Sequence, residues 1–100
     1  MSYTKYYWFG HVKRTIEQYP NGLSDGTVQS AIAKGAIEKA ITETYKMTDG
    51  ADRVKLVEMV YFKKVCTLDG ASMKLHISYR TAVRWSHKFI YLVADKMGYM

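Results

Sequence analysis

The chain has 100 residues, 48% of them hydrophobic and 24% charged, with one cysteine and a net charge of +6. This suits a single domain with a modest core, and it excludes both wholesale disorder and a disulfide scaffold. The basic excess is lopsided: residues 1–50 hold six Lys and Arg against five Asp and Glu, whereas residues 51–100 hold nine against four. An acidic partner, nucleic acid above all, is expected at the second half.

Residues 4–19 are predicted to form an amphipathic helix, with Tyr6, Phe9, Ile16 and Tyr19 at helical spacing and Trp8 and Val12 widening the stripe. Pro20, Asn21 and Gly22 close it. Aromatic residues this dense suit packing either on another helix of the chain or on a second subunit. After a polar connection too short to divide domains, the next helix is predicted from Ser24 or Thr27 to about Met47. Its stripe is Val28, Ile32, Ala36, Ile37, Ala40, Ile41 and Tyr45, and its alanines allow close helix approach. Thr48, Asp49 and Gly50 end it. In residues 51–63, Val54, Val57, Val60 and Tyr61, broadened by Leu56, make a helical stripe. The valines favour a strand locally, but Asp52 and Glu58 interrupt strict alternation, so helix is predicted.

Residues 67–90, TLDGASMKLHISYRTAVRWSHKFI, organise the rest. Leu68, Ala71 and Leu75 give a short helix one apolar face, with Thr67 as its cap. His76, Ile77 and Ser78 interrupt it, and Ser78 is a good N-cap for a final helix from Tyr79 to about Met97, stopped by Gly98. Ala82, Val83, Ser86, Phe89, Ile90 and Val93 lie on one side of that helix; Arg80, Arg84, His87, Lys88 and Tyr91 lie on the other. The expectation is an all-α, compact multi-helix domain over residues 1–100. It carries a C-terminal helix-turn-helix at 67–97 and a long final helix, with the helices of 4–47 as support or as an oligomerisation surface.

Candidate DNA contacts to bases or phosphates are Ser78, Tyr79, Arg80, Thr81, Arg84 and Lys88. Arginine's planar fork suits both guanine and phosphate. Tyr79 and Thr81 occupy the leading turn, where helix-start duty competes with contact. Lys63, Lys64, Lys74 and His87 are candidate flanking phosphate contacts, which position a protein without reading sequence. Trp85 borders both faces, and two places stay open for it, the core and the groove edge.

Catalysis is not expected. His11, His76 and His87 are scattered, Cys66 has no CxxC partner, and neither a metal nor a cofactor is implied. Gly22 and Gly26 lack the context of a phosphate loop, and Glu38 and Glu43 do not share a helix face. The N-terminus is not a signal peptide and no apolar run reaches membrane-spanning length, so no membrane partner and a cytoplasmic place are expected.

The 67–90 stretch resembles the final helix-turn-helix of bacterial sigma factors. It is more closely similar to small phage regulators, namely the RinA-type late-gene activators of Gram-positive phages and the related ArpU-like autolysin regulators. The run from His76 to Trp85 is the most family-like piece, and GHVKRTIEQYP resembles the start of such proteins. Gly70 and Met73 depart from the polar or acidic residues the resemblance leads one to expect. The resemblance implies double-stranded DNA binding in the bacterial host cytoplasm, at the nucleoid, with Ser78, Arg80, Thr81, Arg84 and Lys88 facing DNA. It also implies contact with RNA polymerase. Because one such unit makes few base contacts, a homodimer on two half-sites is expected, with the first two helices as candidate seam. The alternatives are a small-terminase-like packaging protein, and a helical protein-interaction module without DNA binding.

Overall fold

The computed structural model describes residues 8–19 and 28–99, which are all-α: five α-helices and one π-helical turn, with no strand among the described residues. Helix α1, Phe9–Gln18, buries Val12, Thr15 and Ile16 together with Trp8 just before it, one face at three- and four-residue spacing. The expected beginning at Thr4, and Tyr6 with it, lies outside the described residues. Trp8 and Phe9 pack on other aromatic rings of the same chain. Trp8 is 4% exposed and stands edge-on to Tyr91 and stacked on Tyr99, each at 6.0 Å, while Phe9 is 6.1 Å from Tyr91.

Helix α2, Val28–Tyr45, ends two residues earlier than predicted, and its expected start near Ser24 or Thr27 lies outside the described residues. Its buried face also differs from the predicted stripe. Ala33, Ala36, Ile37, Ala40 and Thr44 are inside, while Ile32 and Tyr45 are 49% and 55% exposed. Small side chains inside let α2 come close to the final helix. Thr44 is tolerated there because its hydroxyl donates to the Ala40 carbonyl at 2.7 Å.

Asp49, in the left-handed region at φ 58°, turns the chain into α3, Gly50–Val57. Gly50 therefore opens this helix instead of merely ending the previous one, and a Cβ there would overlap the Tyr45 and Thr44 carbonyl oxygens. The predicted helix over 51–63 is present, but its last stretch, Glu58–Phe62, winds as a π-turn. The chain then folds back, and the Met59 carbonyl accepts from the Val65 and Cys66 amides at 2.9 and 3.3 Å.

Helices α4, Leu68–Leu75, and α5, Tyr79–Lys96, complete the chain. Two buried clusters meet on α5. Its C-terminal half supplies Phe89, Ile90, Val93 and Ala94 to a core shared with Val12 and Ile16 of α1, Ala36, Ile37 and Ala40 of α2, and Val57 and Tyr61. Its N-terminal half supplies Ala82 and Trp85 to a smaller cluster with Leu56 and Ala71. Leu56 and Val57, adjacent in sequence, thus face different clusters, so α3 is wedged between them.

Candidate nucleic-acid interface

Short side chains set how α4 meets α5. Ala71 and Ala82 are both fully buried in the same cluster, so the two helices can approach closely. Both helix starts are capped by residues read from the sequence. Thr67 Oγ1 accepts from the Gly70 amide at 3.2 Å, and Ser78 Oγ accepts from the Thr81 amide at 3.1 Å. The Ser78 hydroxyl also donates to Thr81 Oγ1 at 2.9 Å, so these two candidate contacts are tied to each other at the first turn. His76 ends α4 at φ 58°, and Ile77 donates its amide to the Ser72 carbonyl at 3.0 Å. The connection is held at both ends by backbone and caps.

With its inner side fixed, α5 presents Arg80, Arg84 and Lys88 outward, all exposed. At four-residue spacing they form a row within about 80° of the helix circumference. Among the described residues the one ion pair joins Lys96 to Glu43, so these three cations have no carboxylate partner. Lys63, Lys64 and Lys74 are exposed on the preceding loop and on α4. Tyr79 is 55% exposed. It edges a cleft of about 320 Å³ that is also lined by Lys13 and Glu17 of α1, the π-turn, and Thr67, Leu68 and Asp69.

The structure decides two placements. Trp85 is 7% exposed beside Leu56, Ala71 and Ala82, with the Arg53 guanidinium carbon 5.2 Å from its ring centroid. Of the two places open to it, it takes the core, because α3 covers the side of α5 that it points to. His87 and Tyr91 do not share the open face of Arg80 and Arg84. Helix α1 lies over them, and the His87 ring stands edge-on to Phe9 at 5.4 Å. Burial, and then the positive charge of Lys13, push the His87 imidazole below its ordinary 6.5. A half-buried ring packed on Phe9 is less open to a phosphate than the exposed lysines are.

Lys13 is the cation that sequence reading missed. It stands on α1, remote in the chain, yet it reaches His87 electrostatically and lines the cleft beside Tyr79. Only the amphipathic setting of α1, which puts Val12 and Ile16 inside, signals that Lys13 must face out. Among the described residues no three of His, Cys, Asp and Glu are grouped to hold a metal, and no helix is long and apolar enough to cross a membrane. Cys66 is half-buried against the smaller cluster. No family model, curated protein or solved structure matches the chain.

Proposed function

We propose that the chain binds double-stranded DNA sequence-specifically through α4 and α5, used as a helix-turn-helix with the first half of α5 in the major groove. The observation that carries this reading is the row of Arg80, Arg84 and Lys88, exposed and without carboxylate partners on a helix whose other sides are packed. Such a row suits phosphates and guanine edges, and a rigid backing fixes which bases it meets. Tyr79 is placed to flank the contact, while Ser78 and Thr81 serve first as the cap. Lys63, Lys64 and Lys74 extend the positive surface as phosphate anchors. Together with the sequence resemblance, this favours a regulator of transcription, an activator of phage late genes that positions RNA polymerase in the host cytoplasm. Two copies would read adjacent half-sites.

Selection of bound duplexes from a random pool, followed by titration of the selected site, tests it. Arg84→Ala and Arg80→Ala are each expected to weaken binding roughly tenfold or more, with relaxed base preference where a guanidinium reaches a base. Recovery of no preferred sequence, or unchanged retention on DNA at low salt by the double variant, would leave a helical interaction module as the better account.

A further inference from the structure

Helix α1 runs along one flank of α5 in the opposite chain direction. Phe9 meets His87 and Tyr91, with ring centroids 5.4 and 6.1 Å away, whereas Glu17, two turns later, lines the cleft beside Tyr79. Lys13 stands midway between Phe9 and Glu17 on the same side of α1, and so level with the stretch of α5 from Val83 to His87, beside Arg84. Its charge is felt at the His87 ring, which belongs to that flank. Burial of Val12 and Ile16 fixes this setting of α1. Lys13 itself is exposed, and among the described residues it forms no ion pair.

We infer that Lys13 grips a backbone phosphate on the strand that walls the groove entered by α5, so that α1 is part of the DNA-binding surface. This rests on the reading of α4 and α5 as a helix-turn-helix. Widths decide where α1 falls. A helix with its side chains is about 10–12 Å across and the major groove is about 12 Å wide, so α5 by itself fills the groove. A helix packed beside α5, at an axis separation of about 8–10 Å, then lies over the groove wall, where the sugar-phosphate strand runs. The cation that α1 brings to that place is Lys13.

Carboxylates limit the contact to one phosphate. Glu17 and Asp69 line the cleft beside Tyr79, so a phosphate is repelled there and is held only towards the His87 end. The flexible stem of Lys13 lets its ammonium swing out of the cleft to meet it. Arg14, the next residue, is also exposed but lies 100° further round α1, turned away from α5. It carries the same charge without the same position.

The test compares Lys13→Gln with Arg14→Gln on the duplex recovered by selection, titrated between 50 and 200 mM salt. Lys13→Gln is expected to bind roughly three- to tenfold more weakly at 100 mM salt, with its salt slope flattened by about 0.9. The deficit should therefore shrink roughly three- to fourfold across the salt range. Base preference stays that of wild type, since a phosphate contact carries no sequence information. Arg14→Gln should keep the wild-type slope. Ethylation of single phosphates then locates the contact: one ethylated position should weaken wild type and leave Lys13→Gln unaffected. Unchanged circular dichroism of both variants shows that the helix is intact.

An unaltered slope for Lys13→Gln, an equal flattening for Arg14→Gln, or the absence of any phosphate whose ethylation Lys13→Gln ignores would overturn the inference. Each of these leaves DNA binding through Arg80 and Arg84 standing. Failure of wild type to retain DNA would overturn both.

Discussion

A single buried hydroxyl pair shows how little polar chemistry this core tolerates. Tyr61 and Ser86 are 3% and 1% exposed, and their hydroxyls share a 2.7 Å hydrogen bond between the π-turn and α5. Burial raises the Tyr61 phenol above its ordinary value, the Ser86 hydrogen bond opposing this, so the group stays neutral through the physiological range. Tyr61→Phe is expected to lose about 1–2 kcal/mol in chemical denaturation, since Ser86 is left to turn back on its own helix. His87 makes the complementary case. Its folded pKa lies below 6.5, so between the two values the unfolded chain binds the proton that the folded chain refuses. The stability contributed by the neutral ring is therefore present above about pH 6.5 and is lost as pH falls towards the folded value. Denaturation midpoints measured from pH 7 to pH 5 should drop for wild type, and less steeply for His87→Gln.

Among the elements, the junction between α2 and α3 is the least forgiving. Gly50 is buried under the last carbonyls of α2, and nothing there is the far end of a flexible side chain. Gly50→Ala must move backbone and is expected to destabilise by about 1–3 kcal/mol or more, as overpacking does. Gly35, within α2, is the contrast. A Cβ there meets nothing within 4 Å, and Gly35→Ala in dilute solution should gain about 0.5–1 kcal/mol from helix propensity. Thermal melts of the two variants side by side would show opposite signs. Thr67, Ser78 and Gly98 mark helix ends legibly in sequence because capping is local chemistry. The π-turn at Glu58–Phe62 left no such mark. Helices α1 and α4 pack against it, and Tyr61 ties it to Ser86 of α5, all contacts made across the fold.

For the molecule as a whole, charge is the quantity that matters. The core anchors α5 along its length, while its open side and the nearby loop carry cations that form no ion pair among the described residues. If these contact phosphates, the logarithm of DNA affinity should fall linearly with the logarithm of salt concentration, at a slope near −0.9 per phosphate neutralised. Lys88→Ala, and the combined change of Lys63 and Lys64 to Ala, should flatten that slope by about one for each lysine that grips phosphate, with little change in base preference. Filter binding between 50 and 200 mM salt checks this, and an unaltered slope would remove those lysines from the interface.

The sequence by itself determined the helical class, the order of the helices, both caps flanking α4 and the outward setting of Arg80, Arg84 and Lys88. Each follows from spacing along one chain segment, where side-chain periodicity and the helix turn are the same length. Only the tertiary structure decided which stripe of α2 goes inside, since alanine and threonine win there through close helix contact that hydrophobicity does not report. The same holds for Trp85 under α3, and for His87 and Tyr91 under α1. Each sits on a flank of α5 that is solvent or core according to which neighbour arrives, and that neighbour comes from far away in the chain.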